Sequence, residues 1–221
     1  MQQQDIIEAL GKFAVIPVIT IDSTEAAVPL ADALMAGGLP LAEITFRTRN
    51  AGEVIARLKK ERPALLLGAG TILTLDNLRL AIACGAQFGV APGLNPEIVR
   101  AAKKMDWPFF PGIITPGEIE QGLNLGLKVL KFFPAEESGG VSMLKALSAP
   151  YAHAGVKFMP TGGVNLKNLE SYLALDTVLA VGGTWIAKKE VVNSKKWDEI
   201  QNNCRNVSDI VARIRSASRN Q

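Results

Sequence analysis

Short apolar runs recur along the chain, separated by stretches with helical spacing. They fall at 13–20 (FAVIPVIT), 41–46 (LAEITF), 64–68 (ALLLG), 87–91 (QFGVA), 107–111 (WPFFP), 128–133 (KVLKFF), 156–160 (VKFMP) and 178–182 (VLAVG). Each is short and rich in β-branched, aromatic or other apolar side chains, as strands buried on both faces are. Helix starts and stops lie between them. Ser23-Thr24 predicts the cap of a helix running to about Ala36, with Gly37-Gly38 ending it. Thr74 or Asp76 opens another that stops near Gly85. Asn95-Pro96 and Thr115-Pro116 open two more, and Glu118 stands at capping-box spacing from Thr115. Asn165 opens a helix through Tyr172, and a last one runs from about Trp197 to Ile214. Eight strands, each followed by a helix, predict a parallel α/β sheet closed into a (β/α)8 TIM barrel, as one domain over 1–221. The alternative is an open doubly wound sheet. It usually has fewer strands, and no GxGxxG follows the first strand here.

Composition narrows the function. A net charge of +3 is too small and dispersed for a nucleic-acid partner but suits an anionic small molecule. No apolar stretch approaches the ~20 residues that span a bilayer, and the first residues lack the pattern of a signal peptide, so no membrane role and a cytoplasmic location are expected. Cys84 and Cys204 make neither a disulfide framework nor a CxxC site. His153 is the only histidine, which rules out HExxH and multi-histidine metal centres. No metal and no organic cofactor are expected.

In a barrel of this kind the chemistry sits at the carboxyl ends of the strands. Glu43 interrupts LAEITF, and alternation puts it on one face with Leu41 and Thr45. A buried carboxylate there needs a partner or a catalytic purpose, and a structural pairing with Arg47 or Arg49 is the simpler possibility. Arg47, just past the strand, can grip a carboxylate or phosphate with two prongs. Lys131 stands in KVLKFFP between Leu130 and Phe132-Phe133, sharing a face with Val129 and Phe133. Lysine is rarely buried without a reason. Apolar surroundings favour a neutral amine that attacks a ketone, unless the side chain snorkels out. Gly162-Gly163 follows the seventh strand, and Gly182-Gly183-Thr184 follows the eighth. The loops after these two strands commonly hold phosphate on backbone N–H groups, although tight turns alone also use glycine. Gly68-Ala69-Gly70-Thr71 and Pro92-Gly93 are further turns at strand ends.

Together, EITFRT (43–48), GAGT (68–71), APGL (91–94), KFFPAE (131–136), PTGGV (160–164) and VGGTW (181–185) resemble the 2-keto-3-deoxy-6-phosphogluconate (KDPG) aldolase and 4-hydroxy-2-oxoglutarate (KHG) aldolase family, in order from about Val15 to Trp185. That resemblance implies Schiff-base chemistry on Lys131, with Glu43 as proton shuttle. Arg47 and Thr71 would hold the carboxylate of the pyruvyl unit, Pro92-Gly93 would pack beside it, and Thr161 would lie near the substrate hydroxyls. Gly162, Gly163, Gly183 and Thr184 would hold the terminal phosphate. Many relatives carry serine at the position of Thr184, which keeps the hydroxyl. The substrate implied is a small keto-acid sugar phosphate, the fold a (β/α)8 barrel preceded by a helix that residues 3–12 can supply, and the assembly a homotrimer. Two other readings compete. One is a phosphosugar isomerase or epimerase with Glu43 as base and Lys131 purely electrostatic. The other is a non-catalytic sugar-phosphate binding barrel.

Overall fold

The structure, a computed structural model, describes residues 2–218. Nine strands are present among them: β1 (Val15–Ile19), β2 (Leu41–Thr45), β3 (Leu66–Gly70), β4 (Phe88–Val90), β5 (Phe109–Phe110), β6 (Gly112–Ile113), β7 (Val129–Phe132), β8 (Lys157–Pro160) and β9 (Val181–Gly183). The helices are α1 (Gln3–Phe13), α2 (Ala27–Ala36), α3 (Ala51–Glu61), α4 (Leu75–Ala83), α5 (Pro96–Lys104), α6 (Pro116–Asn124), α7 (Gly140–Ser148), α8 (Leu169–Leu173), α9 (Lys189–Asn193) and α10 (Trp197–Ser218). None of the described helices is long and apolar enough to cross a membrane.

Two parallel sheets carry the strands, one ordered β5-β4-β3-β2-β1-β9 and one ordered β6-β7-β8. They are edges of a single curled surface. Isolated parallel bridges join Phe158 to Val178 and Thr161 to Gly182, which ties β8 to the β9 side. On the other side β5 and β6 are consecutive across Pro111. The expected fifth strand, 107–111, is therefore split and displaced. Proline has no N–H for the ladder, so pairing breaks there. β5 pairs with β4, β6 pairs with β7, and the Pro111 carbonyl accepts from Lys131 N–H at 2.9 Å. The result is an α/β fold whose parallel sheet curls as a half-barrel.

Other boundaries also depart from expectation. β3 lies two residues later than 64–68, because Leu65 N–H closes a turn onto Arg62 O at 2.9 Å. Gly70 thus joins Gly68 in the strand and is not part of the turn after it. β9 is also later than 178–182, because Val178 N–H is bound to Leu175 O at 2.8 Å. Gly182 and Gly183 are strand residues. Ser23-Thr24 does not cap α2. Ser23 Oγ accepts Ala26 N–H at 3.2 Å in a turn, and the helix begins at Ala27. Asn165 opens a turn, with Leu169 N–H on its carbonyl at 2.9 Å, and α8 starts only at Leu169. Three caps hold as expected. Thr74 Oγ1 accepts from Asn77 N–H at 3.0 Å, Asn95 Oδ1 accepts from Glu97 N–H at 2.9 Å, and Thr115 with Glu118 forms a complete capping box.

Apolar side chains divide into an outer layer between sheet and helices and a smaller inner cluster. Ile6 and Leu10 of α1, one helical turn apart, join Ile16, Leu41, Leu66 and Phe88 in the inner cluster. This helix, expected at 3–12, plugs the amino ends of the strands and leaves the carboxyl ends for polar residues. The inner space is filled unevenly. A Cβ at Gly68 would lie 2.2 Å from the Phe88 ring, so glycine there is what lets the ring into the interior. Urea unfolding should find Gly68→Ala less stable by about 1–3 kcal/mol, as overpacked cores are. Unchanged stability would mean that Phe88 can step aside.

Candidate active site

Strand alternation settles which polar groups face inward. Glu43 and Thr45 of β2 are both buried, as is Lys131 of β7. Register places Glu43 level with Val18 of β1 and Gly68 of β3, and Lys131 level with Gly112 of β6 and Met159 of β8. Curling of the sheet brings Lys131 Nζ to 3.7 Å from Glu43 Oε1. Lys131 is 5 % exposed and Glu43 2 %. Removing either charge from water alone would cost several kcal/mol, so each requires the other. Glu43 is therefore ion-paired with Lys131 and not with Arg47 or Arg49. Its carboxylate has space only because it leans over a glycine of β3, Gly70, the partner of Thr45. A Cβ at Gly70 would lie 2.1 Å from Glu43 Oε1.

Hydroxyls, an aromatic ring and a cation surround this pair. Thr45 Oγ1 lies 3.0 Å from Thr20 Oγ1 and donates to Ile19 O at 3.0 Å. Lys131 Nζ lies 5.4 Å from the centroid of the Phe133 ring, within cation–π range. Arg47, exposed at the end of β2, donates from Nε to Thr71 Oγ1 at 3.1 Å. Thr71 adopts φ +61°, unusual for a β-branched residue and a form of strain concentrated at functional sites. Pro92-Gly93 follows β4 and presses on β6. A Cβ at Gly112 would lie 2.0 Å from Pro92 O and 2.9 Å from Gly93 N. Since Gly112 pairs with Lys131, the 92–93 turn sits one strand away from the amine.

A second group forms where β8 and β9 end. Thr161 is buried, and a Cβ at Gly182 would lie 2.2 Å from its Oγ1. Gly162 and Gly163 have φ of +99° and +76°, a region that favours glycine. All three carbonyls of this turn are engaged. Thr161 O accepts from Ala135 N–H at 2.8 Å and Gly162 O from Glu136 N–H at 3.1 Å. Gly163 O accepts from the side-chain amides of Asn165, at 2.9 Å, and Asn168, at 3.3 Å. What such a turn can offer an anion is N–H polarity. Gly183 ends β9 under the Trp185 ring, and Thr184 is exposed beside it.

The structure thus gathers Lys131 and Glu43 in the interior, links Arg47 to Thr71, sets Pro92-Gly93 against the β6 residue paired with Lys131, and gathers Thr161 and Gly162-Gly163 near β9. Among the described residues no three His, Cys, Asp or Glu side chains come together as a metal-holding group. The Thr20–Thr45 hydroxyl pair and the ring of Phe133 were not singled out by sequence reasoning. Alternation carried the signal for Thr45 and Phe133, which share faces with Glu43 and Lys131. For Thr20 no local signal exists.

The chain is similar to known proteins over most of its length. The family profile described as KDPG and KHG aldolase matches residues 6–203. A 2-dehydro-3-deoxy-phosphogluconate aldolase of Haemophilus influenzae is 46% identical over 208 residues, covering 94% of this chain and 97% of that protein. A KHG/KDPG aldolase of Escherichia coli is 42% identical over 186 residues, covering 84% and 86%. Among solved structures, the KDPG aldolase of Legionella pneumophila, with pyruvate captured as a covalent carbinolamine intermediate, superimposes with a TM-score of 0.88. It is 40% identical, over 94% of this chain and 98% of that one. With most of its length matched by the profile, this chain belongs to the KDPG and KHG aldolase family.

Proposed function

We propose that this chain is a class I, Schiff-base aldolase. It cleaves 2-dehydro-3-deoxy-6-phosphogluconate to pyruvate and glyceraldehyde 3-phosphate, and 4-hydroxy-2-oxoglutarate to pyruvate and glyoxylate. The observation that carries this reading is the buried Lys131 amine 3.7 Å from the Glu43 carboxylate. Glu43 takes the ammonium proton, and the neutral amine attacks the C2 ketone to give a carbinolamine. Glu43 returns its proton to the departing hydroxyl, so loss of water leaves a protonated imine, an electron sink, and a free carboxylate. Removal of the C4 hydroxyl proton by Glu43, directly or through water, lets the C3–C4 bond break and the aldehyde depart. Glu43 passes the proton it has taken to C3 of the resulting enamine, and water hydrolyses the imine to pyruvate and free Lys131. Every electron displaced is held by the imine, so the scheme requires no metal or organic cofactor.

The remaining residues divide by substrate end. Arg47 and Thr71, joined by their hydrogen bond, receive the substrate carboxylate, with Pro92-Gly93 packed beside the pyruvyl unit. Thr161 meets the hydroxyls. Gly162, Gly163, Gly183 and Thr184 receive the terminal phosphate through N–H groups and a hydroxyl. The bridges that tie β8 to the β9 side support a closed (β/α)8 barrel in one domain. The homotrimer and the cytoplasmic location rest on the family resemblance and the small anionic substrate.

Lys131→Ala is expected to abolish both cleavage and borohydride trapping of pyruvate while the melting transition persists. Turnover within tenfold of the parent would sink the imine assignment and favour an isomerase or binding barrel. Glu43→Gln keeps the shape and loses the base, so kcat should fall by roughly 10²–10⁴ with some trapping retained. Unaltered solvent deuterium exchange into pyruvate by this variant would contradict the shuttle role. Gly163→Val forces a side chain into φ +76° and to within 2.5 Å of Glu136 Cβ and Cγ. Its kcat/KM for the phosphorylated substrate should fall about 10–100-fold more than for 4-hydroxy-2-oxoglutarate, the equivalent of one or two charge-assisted hydrogen bonds. Equal losses on both would move the phosphate elsewhere.

A further inference from the structure

Glu136, at the end of KFFPAE, has no part in the scheme above, yet it stands where several segments meet. Its backbone N–H holds Gly162 O, and its Cβ and Cγ fill the space a side chain at Gly163 would need, 2.5 Å from a Cβ built there. Its carboxylate accepts a hydrogen bond from the hydroxyl of Tyr172, a fully buried residue on α8. Burial, with Glu136 beside it, holds that phenol well above its usual pKa, so it remains a donor. The first residue of α7, Gly140, closes over the contact. A Cβ there would lie 3.0 Å from Glu136 Oε1 and 3.5 Å from the Tyr172 hydroxyl.

This arrangement has a chemical oddity. A carboxylate beside a turn read as phosphate-binding should repel a dianion. Its Oε1 is engaged by the phenol, while its stem and amide brace the turn. We propose that Glu136 and Tyr172 form a positioning pair that fixes the 161–163 turn in its anion-receiving shape and thereby sets the preference for a phosphorylated substrate. The inference rests on the phosphate reading of that turn. Neither residue touches the reacting atoms. Because Glu136 and Lys131 lie on the same β7-to-loop segment, the pair also ties the turn to the strand that carries the amine.

The test compares Glu136→Ala, Glu136→Gln and Tyr172→Phe with the parent. KM and kcat are measured for the phosphorylated substrate and for 4-hydroxy-2-oxoglutarate, together with borohydride trapping of pyruvate. Glu136→Ala and Tyr172→Phe should raise KM for the phosphorylated substrate about tenfold, as loss of a hydrogen bond to a charged group does. Cleavage of 4-hydroxy-2-oxoglutarate and pyruvate trapping should stay near parental levels. Glu136→Gln should keep most of the preference, since its amide oxygen still accepts from Tyr172 and its stem fills the same space. Equal losses on both substrates, no loss on either, or Gln behaving like Ala would overturn the proposal. Should Glu136→Ala fail to fold, Tyr172→Phe decides alone, because it removes one oxygen from an otherwise intact core ring. A parent enzyme that cleaves only the unphosphorylated substrate would overturn the phosphate reading itself. A parent that cleaves both, with unmoved ratios in the variants, would overturn the positioning pair alone.

Discussion

An ammonium and a carboxylate enclosed in an apolar interior constrain everything around them. Left alone, each charge would cost several kcal/mol, and loss of one strands the other. Lys131 and Glu43 avoid this by proximity, but at 3.7 Å they are beyond an ordinary N–H···O hydrogen bond. The attraction holds the amine in place without saturating it, as the nucleophile of the proposed reaction requires. The pair also dictates its neighbours. Gly70 must lack a side chain for the carboxylate to fit, and Phe133 must lie close for its ring face to meet the cation. The opposite end of the interior must be sealed, and Ile6 and Leu10 of α1 seal it.

In the proposed function, the polar residues away from that pair serve the two ends of one substrate. Arg47 and Thr71 offer side chains, a guanidinium bound to a hydroxyl whose backbone is held at φ +61°. The turn after β8 offers backbone, with its carbonyls engaged by Ala135, Glu136, Asn165 and Asn168. A planar carboxylate suits the forked guanidinium, and a tetrahedral phosphate suits convergent N–H groups. In the proposed reaction the bond to be broken lies between these ends, over Lys131. Grip at both ends then positions C2 against the amine, which is where orientation contributes to rate.

Much of this was legible residue by residue. An ionisable group inside an apolar run is conspicuous, so Lys131 and Glu43 stood out, and alternation put Thr45 and Phe133 on their faces. The caps at Thr74, Asn95 and Thr115 were readable because a cap is a contact within four residues. The double glycine at 162–163 announced a backbone that side chains would strain. Local signals failed where a neighbour in space chose between two local options. The starts of β3 and β9 moved because preceding turns captured residues that looked like strand. That put Gly70 and Gly183 inside strands beside Gly68 and Gly182, where their missing side chains admit Phe88, Glu43 and Thr161 and leave room beneath the Trp185 ring.

The partner of Glu43 is the one that the family resemblance implies and that spacing along the chain does not. Arg47 and Arg49 were nearer in the chain, yet Lys131, on another sheet, took the carboxylate. No pattern along a single strand encodes that contact. It follows from the curl of the sheet and from the pairing register, and a slip of one residue would turn either group to the other face. The same holds for Glu136 and Tyr172, which meet only because the chain after β7 is bonded to the turn after β8. Residue types and their periods specify which groups are inward and ionisable. Which of them touch is set by strand register and closure, because those contacts span distances that no local periodicity measures.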